Sequence, residues 1–314
     1  MKNDLTSWLN RHQNTEYRVR NFIAGAYVDP SQDPANSRLL EKYSPRDGAQ
    51  LYSFHCGSRD DVDRAVAVAR DSFESGVWSA LPLAQRSAVL RKLADLIDRH
   101  RETFALYESM DVGKPITNAL TVDLPWVIGH LRETIDMAAQ LTSPSGSDDG
   151  HFAYQHRKPV GVVAGICGWN FPLLLAMFKM APALMMGNSL VLKPSEFTAL
   201  STSLLAELAF EAGVPAGVFN VVQGAGATVG QALSYHADVD LLSFVGSSAT
   251  GKAIVKAAGE SNMKRLILEC GGKSPYLVFD DCPDDLEALA EDVVAKALLK
   301  VREHLCHVTG YSYA

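Results

Sequence analysis

The sequence lacks several features that would assign it to a class of protein at once. It has no long run of like charge, and its net charge is −7. We therefore expect neither nucleic acid nor a membrane surface as its main partner. Its five cysteines are scattered and form no C-x-x-C pair, which favours a reduced chain over a disulfide scaffold. Residues 1–13 are polar and lack the apolar core of a signal peptide, so we predict a cytoplasmic protein.

One apolar run, residues 160–186, is long enough to span a bilayer. It is interrupted by Asn170, Pro172, Lys179 and Pro182, and Gly-Trp-Asn divides it in two. Strands of parallel sheets also give near-continuous apolar runs, because both of their faces are buried. We therefore predict a buried strand followed by a buried helix, and no membrane span.

The 314 residues suffice for one large or two smaller α/β domains. From residue 160 onward, predicted strands alternate with helices, which predicts a mostly parallel sheet with right-handed crossovers. The strands are expected at 160–166, 190–192, 219–222, 241–244 and 266–268, and the helices at 173–186, 199–212, 228–236 and 250–258. Ligands of such sheets bind beyond the carboxyl ends of the strands.

The first third is predicted to be helical. Ser58 and Asp61 resemble a capping box, and the helix after it has its apolar stripe at Val62, Ala65 and Val66. A second helix is expected from Pro82. By composition, residues 143–149 are a loop, and the alternation over 151–159 predicts an exposed strand.

Two glycine-rich turns each follow a predicted strand. The segment from Gly246 to Lys252 opens a helix, where free N–H groups and small residues make an anion site. It matches a Walker A pattern up to Lys252, but Ala253 stands where magnesium binding needs Ser or Thr. A dinucleotide pyrophosphate is therefore the preferred ligand, and a tight strand-to-helix turn is the alternative. The second turn, residues 224–230, is G-x-G-x-x-x-G, and a simple turn explains it equally well.

Three polar motifs lie at predicted strand ends. Lys193 and Glu196 could bind ribose hydroxyls, or could form a surface ion pair in a proline-containing loop. The side-chain amide of Asn170 could donate to an oxyanion, and Glu269 could act as a general base if partial burial raised its pKa. Taken alone, Asn170 could also satisfy a loop and Glu269 could be a surface residue.

The order and spacing of these motifs resemble the NAD(P)-dependent aldehyde dehydrogenase family from about residue 21 to residue 299. The segments 21–25, 159–172 and 268–275 carry the resemblance together with the turns above. It implies an α/β fold with a Rossmann-like parallel sheet and flanking helices. The implied domains are a dinucleotide-binding domain (1–143 and 160–269), an oligomerisation hairpin (144–159) and an incomplete catalytic domain (270–314).

The resemblance also implies NAD as cofactor, with NADP as an alternative, a small-molecule aldehyde as substrate, and homo-oligomers. In the family mechanism, a cysteine thiolate attacks the aldehyde, hydride passes to the nicotinamide, and water releases the acid from a thioester. Asn170 would stabilise the oxyanion and Glu269 would activate water. No metal is implied. The cofactor site would be lined by Ile166, Trp169, Lys193, Ser195, Glu196, Gly226, Gly230, Phe244, Gly246, Ser247, Gly251 and Glu269.

The chain departs from the family in three places. Cys270 stands where leucine is common, and because its neighbours are apolar we interpret it as structural and not as a nucleophile. Gly168 stands where proline is usual, which loosens the loop of Asn170. After Lys300 the cysteine motif is absent, and Cys306 follows Glu269 by 37 residues in a different context. We hypothesise a truncated member with a reading-frame shift near residue 300, which sequencing of the coding DNA would test. His304, Cys306 and His307 make a poor zinc site.

This departure leaves two hypotheses for function. The first is an aldehyde dehydrogenase with Cys306 as nucleophile, and the second is a catalytically silent NAD-binding remnant. We predict residual affinity for the cofactor and little or no aldehyde oxidation by the chain as written. By the resemblance, the missing part would be most of the catalytic domain and the final strand of the subunit interface.

Overall fold

The computed structural model describes residues 5–29, 38–273, 275–279, 281–282 and 285–297. Its helices are α1 (Leu5–Gln13), α2 (Arg59–Glu74), α3 (Leu83–Arg99), α4 (Arg101–Val112), α5 (Ile116–Asn118), α6 (Leu124–Ala139), α7 (Pro172–Met185), α8 (Leu200–Ala212), α9 (Gln231–Tyr235), α10 (Ser248–Gly259) and α11 (Leu286–Ala297). Two π-helical turns, Ala119–Asp123 and Gly226–Gly230, precede α6 and α9.

The strands are β1 (Asn21–Ile23), β2 (Ala26–Val28), β3 (Leu39–Tyr43), β4 (Gln50–His55), β5 (Ser145–Asp148), β6 (His151–Tyr154), β7 (Val162–Ile166), β8 (Ser189–Lys193), β9 (Phe219–Val221), β10 (Leu241–Val245) and β11 (Arg265–Glu269). Seven of them form one sheet in the order β11-β10-β7-β8-β9-β1-β2, while β3–β4 and β5–β6 are separate pairs.

The predicted parallel sheet is confirmed for the five strands from β7 to β11, whose neighbouring pairs are all parallel. The sequence did not predict β1 and β2, which extend the sheet antiparallel at its far edge. The interpretation of the first third as helical was therefore incomplete. The strands β1 and β2 are three residues each, too short for an alternation pattern to be recognised.

The two faces of the sheet are buried by different helices. Along β7, Val163 packs in a core built with α3, α6, α7 and α8. Its neighbours Val162 and Ala164 pack on the other face, in a core that includes residues of α2 and α10. Because successive side chains of a strand point to opposite faces, a strand buried on both sides is apolar throughout. The long apolar run is thus β7 followed by α7, as predicted.

None of the helices in the described part of the chain is long and apolar enough to cross a membrane.

The capping box of α2 is confirmed. The Ser58 Oγ accepts from the Asp61 N–H at 3.2 Å, and the Asp61 carboxylate accepts from the Ser58 N–H at 2.9 Å. The predicted stripe of α2 is buried, with Val62, Ala65 and Val66 all inaccessible to solvent.

The prediction of a loop at 143–149 is wrong, because β5 (Ser145–Asp148) pairs antiparallel with β6 in this segment. The turn between them has positive φ at both Asp149 (44°) and Gly150 (84°). Asp-Gly is the preferred sequence for such a two-residue hairpin turn. The exposed strand predicted over 151–159 ends at Tyr154. The domain bounds expected from the resemblance, with a hairpin at 144–159, remain a prediction.

Candidate functional site

The predicted site residues follow four neighbouring strands at the same edge of the sheet. Asn170 lies in the loop after β7, Lys193 ends β8, Gly246 follows β10, and Glu269 ends β11. The register pairs Ile166 with Phe244 and Val245 with Glu269. Since adjacent strands are about 4.8 Å apart, the ends of β7 and β11 are separated by roughly 10 Å. The parallel topology therefore brings the amide and the carboxylate to one edge.

The loop of Asn170 is hydrogen-bonded to β8 and lies close to β10. The Cys167 N–H donates to the Lys193 carbonyl at 3.0 Å, which joins the loop to β8. A Cβ at Gly168 would lie 3.5 Å from the Val245 carbonyl oxygen and 3.6 Å from Asn170 Oδ1. Trp169 and Asn170 are both half-buried. Pro172, whose fixed φ suits the first turn of a helix, begins α7 directly after the loop.

Lys193 and Glu196 form an ion pair, with 2.9 Å between Lys193 Nζ and Glu196 Oε2. The predicted ion pair is present, but it is not a surface pair, because the Lys193 side chain is buried at 2% exposure. Glu196 Oε1 also accepts from the Gly226 N–H at 3.2 Å. Burial raises the pKa of Glu196, but the Lys193 ammonium and the hydrogen bonds outweigh it, so that pKa lies below its ordinary value.

The second glycine-rich turn belongs to the same cluster. Gly226 begins the π-helical turn and Gly230 ends it. A Cβ at Gly230 would lie 3.7 Å from Lys193 Cδ and 3.9 Å from Ile166 Cδ1. Ser195, which is buried, accepts from the Phe197 N–H at 3.2 Å and shapes the connecting segment. The structure thus joins two motifs that the sequence presented separately.

The first glycine-rich turn connects β10 to α10, as predicted. Ser247 is the N-cap of α10, and its Oγ accepts from the Thr250 N–H at 3.2 Å. A Cβ at Gly246 would lie 2.5 Å from Cζ of the buried Phe244 ring, so a side chain cannot be accommodated there. At Gly251 a Cβ would lie 2.7 Å from the sulfur of the exposed Cys270, a side chain that is free to rotate away. Close packing therefore accounts for Gly246 but not for Gly251, and the anion site stays a prediction.

Glu269 is exposed, because β11 is the last strand of the sheet among the described residues. The partial burial that would suit a general base is therefore not present in this structure. Sequence reasoning missed Lys179, a buried lysine of α7 whose Nζ donates to Ser243 Oγ at 3.3 Å. Burial lowers the pKa of Lys179, and the nearby Cys167 and Glu269 oppose this. In the sequence, Lys179 was distinguished only as a single charged residue inside the apolar run 160–186.

Of the predicted catalytic residues, Cys306 lies outside the described residues, as does the segment of the hypothesised frame shift. Cys56 and Cys167 are buried, and burial raises the pKa of both thiols, which disfavours the nucleophilic thiolate. Cys270 is exposed. Within the described ranges, no three or more His, Cys, Asp or Glu side chains are grouped so that they could hold a metal ion.

Comparison with known proteins identifies the family of the chain. The family model described as "Aldehyde dehydrogenase family" matches residues 32–303. The chain is 46% identical over 283 residues to the NADP/NAD-dependent aldehyde dehydrogenase PuuC of Escherichia coli, covering 89% of this chain and 56% of that protein. It is 43% identical over 288 residues to the aminoacetaldehyde dehydrogenase of Pseudomonas aeruginosa, covering 91% and 57%. The chain thus spans little more than half the length of these relatives.

Solved structures show the same fold. The aldehyde dehydrogenase KauB of Pseudomonas aeruginosa superposes with a TM-score of 0.89 at 41% identity, covering 93% of this chain and 58% of that one. An indole-3-acetaldehyde dehydrogenase crystallised with NAD+ gives a TM-score of 0.88 at 42% identity, again covering 93% and 58%. The family model and these relatives together show that the chain belongs to the aldehyde dehydrogenase family.

Proposed function

We propose that the protein acts in the NAD(P)+-dependent oxidation of an aldehyde to a carboxylic acid, and that the described residues bind the dinucleotide. The observation that carries the proposal is the cluster of Lys193, Glu196 and Gly226 at the sheet edge that also bears Asn170 and Glu269. Relatives named for this activity, and a neighbour crystallised with NAD+, support it.

The residues at this edge fit a dinucleotide. The Glu196 carboxylate and the Lys193 ammonium lie beyond the end of β8, where ribose hydroxyls are bound in related sheet architectures. Ser247 caps the exposed first turn of α10, and the backbone N–H groups of this turn would bind a phosphate of the dinucleotide. When bound, the nicotinamide supplies the hydride acceptor. A carboxylate at Glu196 repels a 2′-phosphate, so we propose NAD as the preferred cofactor.

The catalytic roles follow from position. The side-chain amide of Asn170 would donate to the oxyanion that forms on the substrate carbonyl, and Glu269 would take a proton from water. The nucleophile is proposed to be Cys306 on the basis of the sequence. A second candidate function, dinucleotide binding without turnover, is favoured by the exposure of Glu269 and by the unusual context of Cys306.

Calorimetric titration of the purified chain with NAD+ and NADP+ tests the binding step. We expect NAD+ to bind, and Glu196→Gln to weaken it by about tenfold, the factor for one hydrogen bond to a charged group. Glu211→Gln is the matched control, since Glu211 is an exposed glutamate of α8. Folded protein that binds neither dinucleotide would refute the proposal.

An assay of NADH formation from NAD+ in the presence of an aldehyde distinguishes aldehyde oxidation from dinucleotide binding without turnover. If the chain turns over, Asn170→Ala should lower kcat by about 10²- to 10³-fold, because one oxyanion donor is lost. If NAD+ binds and no aldehyde is oxidised, dinucleotide binding without turnover is the function of this chain.

We further propose a cytoplasmic location, supported by the free cysteines Cys56, Cys167, Cys270 and Cys282.

A further inference from the structure

Two helices that start at the candidate site have no cap of their own. The N-cap residues of α7 and α8 are Phe171 and Ala199, and neither accepts a hydrogen bond through its side chain. The first backbone N–H groups of a helix have no partner within the helix and need acceptors from elsewhere when they are buried. The beginnings of α7 and α8 therefore depend on groups supplied by another element.

That element is α4. Glu108 Oε1 accepts from the Leu173 N–H at 3.2 Å, at the first turn of α7. Asp111 Oδ2 accepts from the Leu200 N–H at 3.0 Å, at the first residue of α8. Residues three apart lie on the same face of a helix, so one face of α4 supplies a carboxylate to each of the two helix starts.

Both carboxylates are held in place by further buried contacts. Glu108 and Asp111 are each 1% exposed. Glu108 accepts from Lys114 Nζ at 3.2 Å and from Ser201 Oγ at 2.5 Å, and Lys114 also pairs with Asp123. Separating a buried ion pair leaves an unpaired charge in the protein interior, which strongly destabilises the fold. The side chains of Glu108 and Lys114 are therefore held in this one arrangement.

The Asp111 carboxylate is fixed from its other side by Tyr52, whose hydroxyl donates to Oδ1 at 2.7 Å. A buried carboxylate bonded on both oxygens cannot rotate without breaking one of the bonds, which would leave a polar group unpaired. The acceptor of the Leu200 N–H is therefore rigid.

The capped residues lie next to the proposed functional groups. Leu173 follows Asn170 by three residues, and Leu200 follows Glu196 by four. Lys114 Nζ also lies 5.1 Å from the centroid of the Phe171 ring, within the range of a cation–π contact. Because only three or four residues separate them, a shift of either helix start would also move Asn170 or Glu196.

We propose that α4 positions two loops of the candidate site, the one after β7 and the one after β8, through Glu108 and Asp111. Glu108 fixes the loop that carries Asn170 and also contacts Ser201 of α8. Asp111 fixes the segment that carries Lys193 and Glu196. These are positioning residues, because they touch backbone amides and not the reacting groups. The expected effect on NAD+ binding rests on the proposed function. The fixation of the two helix starts by α4 can be measured without any cofactor.

Hydrogen exchange of the two amides, measured by NMR far below the melting temperature, tests the structural part. Glu108→Ala should speed exchange of the Leu173 amide by about tenfold, because its acceptor is lost. The Leu200 amide keeps its acceptor Asp111 and should be accelerated less, through the lost bond of Glu108 to Ser201 Oγ. Asp111→Ala should do the reverse. The conservative variants Glu108→Gln and Asp111→Asn keep an acceptor and should recover part of the protection. Equal acceleration of both amides by each variant would indicate general destabilisation and overturn the proposal, as would no acceleration.

The functional part is tested by NAD+ affinity. Asp111→Asn should weaken NAD+ binding several-fold in the otherwise unsubstituted chain. In a Glu196→Gln background the same substitution should change the affinity little, because the effects of two coupled residues on the binding free energy do not add. Equal effects in both backgrounds would refute the link to Glu196. If the unsubstituted chain does not bind NAD+, the proposed function fails, whereas the exchange experiment still decides whether α4 fixes the loops.

Discussion

At the scale of single residues, Gly168 after β7 and Gly246 after β10 differ in how much space surrounds them. Gly168 has room for a methyl group, since a Cβ would have its nearest neighbours at 3.5 Å, and its φ is not positive. We therefore expect Gly168→Ala to raise the free energy of unfolding by about 0.4–1 kcal/mol, by restricting the unfolded chain. Urea unfolding measures this.

Gly246→Ala is the matched control for that change, because its Cβ would lie 2.5 Å from the Phe244 ring. This second variant should be less stable than the parent chain. If Gly168→Ala lost as much stability as Gly246→Ala, the loop of Asn170 would be packed more tightly than its neighbours indicate.

The buried carboxyl of Asp111 predicts a dependence of stability on pH. Burial raises the pKa of Asp111 to about 7, against the opposing effects of Lys42, Leu200 and Tyr52, while Glu108 adds to the rise. The folded state therefore binds a proton that the unfolded state releases near its ordinary pKa. The free energy of unfolding should fall as pH rises from about 4 to about 7.

Asp111→Asn should flatten this part of the pH profile, because asparagine does not titrate. Urea unfolding of both proteins across that pH range measures the difference between their slopes. Parallel profiles for the two proteins would show that Asp111 is already ionised at acidic pH.

At the scale of elements, the N-caps of α2 and α10 are expected to contribute differently to the free energy of unfolding. Ser58 is buried and exchanges two hydrogen bonds with Asp61, whereas Ser247 is exposed and makes a one-way cap with Thr250. Ser58→Ala should cost about 1–2 kcal/mol of the free energy of unfolding, at the upper end for N-caps, and Ser247→Ala about 0.5–1 kcal/mol. Thermal unfolding of the two variants gives the comparison, and the reverse order would contradict it.

The elements also show where sequence patterns suffice. The capping box of α2 and the alternation of apolar strands with helices from residue 160 depend on neighbours in the chain, so they were predictable. The strand β5 was not, because Ser145, Gly146 and Ser147 have the composition of a loop and are held by pairing with β6. Nor could the sequence reveal the caps of α7 and α8, since Glu108 and Asp111 are far from them along the chain.

At the scale of the whole molecule, the sheet topology determined how much of the candidate site was predictable. Motifs that follow parallel strands must gather at one edge, which is why Asn170 and Glu269 could be placed together. The contact of Glu196 with Gly226 joins two loops and depends on the distance between β8 and β9, which the sequence does not specify. The burial of Lys179 beneath this edge is likewise a property of the assembled sheet.

The hairpin of β5 and β6 leads to a prediction about association. Phe152 and Tyr154 lie on one face of β6, 71% and 68% exposed, with their rings stacked at 6.0 Å. An isolated two-stranded hairpin is at best marginally stable in water. We therefore expect this exposed aromatic face to pack against a second copy of the chain.

Sedimentation velocity over a range of protein concentrations tests this expectation. The parent chain should form a species larger than a monomer, and the double variant Phe152→Ser with Tyr154→Ser should shift it toward the monomer, because the apolar contact area is lost. Val255→Ser, on an exposed position of α10, should leave the distribution unchanged. If the double variant and the parent sedimented alike, the hairpin would have to be stabilised by its own chain, and its exposed aromatic pair would need another explanation.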